Sequence, residues 1–203
     1  MLHSLTKRTL VRTALWRLGL WEPQTQTTVA ERAAVARHAT GKHRLAEIGV
    51  FNGVTTVEIR KAMSPAGLLW AIDPFPPGKL GYNIDETISR SVISKVKNGQ
   101  VEVVKLTGQD AAIRYRQEQR EPVEFLFIDG DHSWAGIEAD WTQWSPLIAQ
   151  AGIVALHDSR STPEHPSTLD SVRYTQDVIR PDPRFELIDE VDSLSVFRRT
   201  KLQ

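Results

Sequence analysis

Val123-Glu-Phe-Leu-Phe-Ile-Asp-Gly-Asp-His132 decides the fold: a run that is apolar but for Glu124 ends abruptly in two carboxylates and an imidazole. Such a run reads as a strand covered on both faces in a parallel sheet, and ligands of parallel sheets gather at the carboxyl ends of strands. A second stretch, Ala151-Gly-Ile-Val-Ala-Leu-His-Asp158, repeats the design and ends in His157 and Asp158. If the two strands are neighbours about 4.8 Å apart, Asp129, Asp131, His132, His157 and Asp158 share one small pocket. A lone aspartate or histidine at a strand end more often caps a helix or closes a loop. Five such groups at two adjacent ends point to chemistry instead.

Working outward, strand and helix patterns alternate. Strands are expected at Arg44 to Val50, Leu68 to Ile72, Val101 to Leu106, Val123 to Ile128 and Gly152 to Leu156. Between and after them, helices are expected at Val54 to Met63, Ile84 to Lys97, Asp110 to Gln119, Trp134 to Ile148 and Leu169 to Ile179. This alternation predicts an α/β fold, a doubly wound and mostly parallel sheet with helices on both faces. The end differs: Phe185 to Val191 and Leu194 to Arg198 flank the Asp192-Ser193 turn and predict an antiparallel hairpin. Trp141 and Trp144 read as core or interface.

The chain divides into residues 1–28, a basic amphipathic helix with a linker, and residues 29–203, the catalytic domain. Lys7, Arg8, Arg12 and Arg17 precede the first acid, Glu22, and Leu5, Val11, Leu15, Leu18 and Trp21 recur at helical spacing. Packing on its own domain or on a second copy in a homo-oligomer is favoured over membrane attachment, since four cations at about 1 kcal/mol each hold a surface weakly. Lysine plus arginine equals aspartate plus glutamate, 25 of each. No net field draws the chain to nucleic acid or an anionic membrane, and a small-molecule partner fits better. There is no cysteine, which removes disulfides, thiolate nucleophiles and cysteine zinc sites. Without a span-length apolar run or a signal-peptide core, the expectation is a cytoplasmic protein.

Strand one runs into Glu47-Ile-Gly49-Val-Phe51-Asn52-Gly53-Val-Thr55, where glycines let the backbone approach a ligand at a helix amino end. Phe51 and Val54 stand where a dinucleotide fingerprint needs glycine, so NAD is disfavoured. Asp73 ends strand two, where a carboxylate either accepts ribose hydroxyls or caps the next turn. These residues, with Gly108-Gln109-Asp110 after strand three, Ile128-Asp-Gly-Asp-His-Ser133 and the final hairpin, resemble the class I S-adenosylmethionine-dependent methyltransferases. More narrowly they are similar to small sugar and natural-product O-methyltransferases with an Ile-Asp-Gly-Asp-His motif, over about residues 29–199. The resemblance implies a seven-stranded sheet of order 3-2-1-4-5-7-6 and S-adenosyl-L-methionine as cofactor. It implies that Glu47, Gly49, Phe51, Asn52, Gly53 and Thr55 face its methionine part, that Asp73 holds the ribose, and that Gln109 and Asp110 contact the adenine. Asp129 also adjoins the cofactor, and Trp134, just past the acidic loop, walls it.

In metal-dependent relatives a carboxylate ending strand four and an acidic pair ending strand five bind one divalent cation; here those places hold Asp129, His157 and Asp158. Oxygen ligands suit magnesium, and an imidazole tilts preference toward manganese, iron or another transition metal, or abolishes binding. The resemblance gives Asp131 as the base that takes the acceptor's proton. His132 competes, because its ordinary pKa suits base work at neutral pH. The sequence thus points to methyl transfer onto a hydroxylated small acceptor, a sugar or secondary metabolite, with the loop from Ser159 to Ser167 at the acceptor rim. A metal-dependent hydroxylase is a second reading, although His132-Ser-Trp134 does not supply the His-x-Asp/Glu of an oxygenase triad. A non-catalytic module that binds cofactor or sugar is a third.

Overall fold

The computed structural model describes residues 11–78, 81–163 and 167–200. Strands β1 (Arg44–Ile48), β2 (Leu68–Ile72), β3 (Gln100–Val104), β4 (Val123–Ile128), β5 (Ile148–Leu156), β6 (Phe185–Val191) and β7 (Leu194–Arg199) form one sheet of order β3-β2-β1-β4-β5-β7-β6. Pairing is parallel through β5, and β7 joins β5 antiparallel, as the hairpin predicts. Side chains of β4 alternate between two cores, which is why its sequence is apolar throughout. Leu126 and Ile128 pack with Trp70, Trp141 and Trp144 on one face; Phe125 and Phe127 pack with Ala34, Val35 and Ile59 on the other. Glu124, the one interruption, accepts from the backbone N–H groups of His43 and Arg44 at 2.6 and 3.1 Å and so ties the starts of two strands.

Helix α1 covers residues 11–17 among those described, followed by α2 (Val29–Ala39), α3 (Val54–Ala62), α4 (Ile84–Lys95), α5 (Gly108–Gln117), α6 (Trp134–Trp144) and α7 (Asp170–Tyr174). Each of α2, α4, α5 and α6 starts on a side chain that accepts from its first turn: Thr28, Asn83, Thr107 and Ser133. Several expected boundaries move: β1 ends at Ile48 and not Val50, β3 shifts to Gln100–Val104, α4 ends at Lys95, and β5 begins at Ile148, four residues before the expected Gly152. Pro146 ends α6 early, because proline cannot continue a helical ladder, and Ser145–Leu147 form a 3-10 turn. The expected helix at Asp110 begins at Gly108, since Thr107 caps it. The expected Leu169 to Ile179 helix is α7 widened into a π-turn over Thr175–Ile179.

Helix α1 rests on its own domain through Arg12 to Asp85 of α4 (2.6 Å) and the Thr13 hydroxyl to that of Tyr82 (3.1 Å). Leu5, Lys7 and Arg8 lie outside the described residues, as do His165 and Pro166 of the expected acceptor loop. No helix among the described residues is long and apolar enough to cross a membrane.

Candidate active site

Strand register builds the site. Ile72, Ile48, Ile128 and Leu156 are level across β2, β1, β4 and β5. The next residue of each strand is therefore also level, and these four are Asp73, Gly49, Asp129 and His157. Ladder bonds continue into this row: Gly49 N–H donates to Ile72 O (2.9 Å), Asp129 N–H to Ile48 O (2.8 Å) and His157 N–H to Ile128 O (3.0 Å). Gly49 has φ +90°, and a Cβ there would overlap the Asp129 carbonyl oxygen. Only glycine permits β1 and β4 to stay this close where the chain turns.

Asp73 supports the turn and also faces the cavity. Its Oδ2 accepts from the N–H groups of Val50 and Phe51 (3.1 and 3.0 Å) and its Oδ1 from Phe75 (2.9 Å), so it fastens the glycine loop while lining the main cavity. Carboxylate oxygens have further lone pairs for a ligand's hydroxyls. Asp73→Ala is expected to weaken binding of S-adenosylhomocysteine by about 1.5 to 3 kcal/mol, the worth of a charge-assisted hydrogen bond. A titration with unchanged affinity would restrict Asp73 to loop support.

That cavity has a volume of about 650 Å3, within the range of small-ligand sites. Gly49, Phe51, Thr55, Asp73, Gln109, Asp129, Asp131 and His132 line it, together with Gln24, Thr25, Gln26, Thr107 and Asp140, which the sequence did not single out. The segment bearing Gln24 is pinned by Asn52, whose side-chain oxygen accepts from Gln24 N–H (3.0 Å) and whose amide donates to Asp85 (2.8 Å). Asn52 thus holds a wall in place. Gly53 opens α3 at φ +78°, packed against Ile93 and Ser89.

Glu47 lies behind the loop with no exposed surface, and neither of its oxygens completes a hydrogen bond among the described residues; Thr56 is the hydroxyl beside it. Burial above all, with the charges of Asp129 and Asp73 adding, holds its carboxyl well above the usual range.

Of the expected cofactor contacts, Glu47, Asn52, Gly53, Asp110 and Trp134 do not line the cavity. Trp134 stacks edge-on with Tyr174 (5.0 Å) and its backbone N–H donates to Asp170 (3.2 Å), so it joins α6 to α7. Asp110 turns back to Thr107, whose hydroxyl donates to it (2.9 Å), and serves the start of α5. Helix capping claims short polar side chains at such positions.

The acidic and basic groups ending β4 and β5 do converge. His157 Nδ1 lies 2.8 Å from Asp129 Oδ1, and its Nε2 lies 3.4 Å from Glu31 Oε2 on α2. His132 Nε2 lies 3.3 Å from the same Asp129 oxygen, and its Nδ1 lies 3.2 Å from Asp158 Oδ2. The Ser193 hydroxyl, in the hairpin turn, donates toward Glu31 (2.7 Å) and Asp158 (3.1 Å). Three carboxylates thus surround two imidazoles. Burial opposes a charge on His157, but the hydrogen bonds to Asp129 and Glu31 outweigh it and push its pKa up to about 10. Asp129, and then Asp158, likewise hold His132 above its ordinary value against burial. Asp131 stands apart at the cavity wall, its Oδ1 accepting from Ser133 N–H (2.9 Å).

Asp129, His132 and His157 each offer one ligand atom, and the three lie within 4.8 Å of one another. Each imidazole has a carboxylate behind its other nitrogen, Glu31 for His157 and Asp158 for His132, the support that metal-bound histidines commonly have. The sequence placed Asp129, His132 and His157 at the ends of two neighbouring strands, and the β4–β5 register joins them. Glu31 was missed because Thr28-x-x-Glu31 is explained by helix capping alone, which the structure also contains.

Comparison with known proteins agrees with this architecture. A family model described as a methyltransferase domain matches residues 46–159, more than half of the chain. Among solved structures, the O-methyltransferase TomG of Streptomyces achromogenes, involved in tomaymycin synthesis and solved with S-adenosylmethionine, is similar at TM-score 0.66 and 15% identity, over 95% of this chain and 89% of that one. An O-methyltransferase from Bacillus cereus, in complex with S-adenosylhomocysteine, is similar at TM-score 0.63 and 18% identity, over 98% and 91%. An rRNA methylase from Streptococcus thermophilus shares the fold at TM-score 0.57 and 10% identity, over 84% and 94%. No curated protein sequence matches the chain. Sheet order, the glycine turn after β1 and the family match together place this chain in the class I S-adenosylmethionine-dependent methyltransferases.

Proposed function

We propose that the chain transfers a methyl group from S-adenosylmethionine to a hydroxyl of a small acceptor, with a divalent metal assisting. The observation that carries this reading is the acidic lining of the main cavity: Asp73, Asp129 and Asp131 line it, and among the described residues no lysine or arginine does. An acidic lining suits a sulfonium cation and repels the pyrophosphate of a dinucleotide. When bound, the cofactor supplies an electrophilic methyl on a good leaving group. The protein's part is to bind, align and deprotonate. Asp73 would hold the ribose, the Gly49 turn and Thr55 would cradle the methionine part, and Asp131 would take the acceptor's proton. His132, held toward its protonated form between two carboxylates, is the poorer base.

Asp129, His132 and His157 would hold the metal, with Glu31 and Asp158 orienting the imidazoles. Two nitrogen donors and one oxygen favour manganese, iron, cobalt or zinc over magnesium. A bound metal would lower the pKa of the acceptor hydroxyl. On the other side of His157, a second cavity of about 550 Å3 is lined by Thr28, Arg160, Ser161, Thr162 and Asp192, a polar surface suited to a hydroxylated molecule. Gln26 lines both cavities, so an acceptor bound here would extend its hydroxyl past Gln26 toward Asp131 in the first.

Metal analysis and chelation test the assisted reaction. The expected result is transition metal in the purified protein, loss of methyl transfer on chelation and recovery with manganese or zinc. Metal uptake should also release protons, since the imidazoles must give theirs up. Full activity after exhaustive chelation would remove the metal from the mechanism.

A further inference from the structure

Asp140, on the inner face of α6, is buried to 6% exposure and lines the main cavity, and among the described residues burial and the charge of Asp131, not a hydrogen bond, act on its carboxyl. Its oxygens are not sealed off but open on the cavity, where a ligand's donor can meet them. Its surroundings keep its place open. A Cβ on Gly108 would overlap Asp140 Oδ1, and one on Gly130 would come within 3.2 Å of Oδ2, so two glycines leave room for the carboxyl between the turns that follow β3 and β4. Trp144, one turn further along α6, donates its indole N–H to Gly108 O at 2.8 Å and fixes that turn against the helix.

The reading of the cavity as an S-adenosylmethionine site orients its ends, and the inference rests on that reading. The reacting sulfur must lie beside Asp131 and the trio, and the ribose beside Asp73. The base is left the remaining end, over Ile48 and Ile72, between Gly108 and Ala139. The geometry points to Asp140 as the residue that reads the adenine, accepting from its N6 amino group and donating to an adjacent ring nitrogen. Burial, reinforced by the nearby charge of Asp131, pushes Asp140 up to about 7, so a neutral acid with one donor and one acceptor is accessible near neutral pH. Adenine offers the complementary pair along one edge.

Calorimetry with S-adenosylhomocysteine and with its 6-deamino analogue, which has hydrogen in place of the N6 amino group, tests this. Wild type should bind the analogue about 10-fold more weakly, and Asp140→Ala should lower affinity for S-adenosylhomocysteine about 10-fold to 100-fold while losing the preference. Asp140→Asn, whose amide also offers donor and acceptor, should keep both affinity and preference. The cofactor-free Asp140→Ala protein should melt no lower than wild type, which separates a lost contact from a damaged fold. Wild-type affinity in Asp140→Ala, or an undiminished preference for the amino group there, overturns the assignment. If wild type binds neither compound, it is the cofactor reading that fails.

Discussion

Asp131→Asn is expected to lower turnover about 10²-fold to 10⁴-fold, the usual worth of a positioned general base, while leaving S-adenosylhomocysteine affinity near wild type. Asparagine retains the oxygen that accepts from Ser133 N–H, so the loop before α6 should keep its shape. What it loses is a lone pair able to take a proton. His132→Ala should instead weaken metal retention first, because His132 belongs to the trio. Single-turnover rates with metal content measured on the same samples separate the two. If Asp131→Asn is active and the rate follows an ionisation that vanishes with His132, the histidine is the base.

Gly49→Ala should cost roughly 3 kcal/mol of stability, the upper part of the range for a forced core insertion, and abolish cofactor binding. The added methyl group meets backbone, the Asp129 carbonyl, and cannot be accommodated by a side-chain rotation. Residue 49 would also have to hold φ +90°, which glycine tolerates and alanine does not. Relief requires β1 and β4 to part at their carboxyl ends, where Asp73, Asp129 and His157 are aligned. Urea unfolding and a titration with S-adenosylhomocysteine measure the two effects. Wild-type stability would mean that the turn relaxes more freely than the packing indicates.

The sheet was legible because parallel strands buried on both faces must be written as apolar runs, and the hairpin because Asp192-Ser193 separates two alternating segments. Convergence of Asp129, His132, His157 and Asp158 was legible for the same reason: once β4 and β5 are neighbours, their ends coincide. Contacts set by other elements were not legible. Glu31 comes to His157 from α2, far away in sequence, and its capping role leaves nothing to explain. Asp140 looks like one more acid on an amphipathic helix until the turn at Gly108 is placed against it. Trp134 and Asp110, expected as cofactor contacts, are engaged by local partners, Tyr174 and Thr107, which the sequence did not indicate.

The central claim is that the acidic cavity at the ends of β1, β2 and β4 receives a sulfonium nucleoside. Isothermal titration of the purified protein with S-adenosylmethionine, S-adenosylhomocysteine and NAD tests it most directly. The account predicts saturable one-site binding of both sulfur nucleosides, weakened by Asp73→Ala, and no heat with NAD. Binding of NAD, with no heat from either sulfur nucleoside, would contradict it.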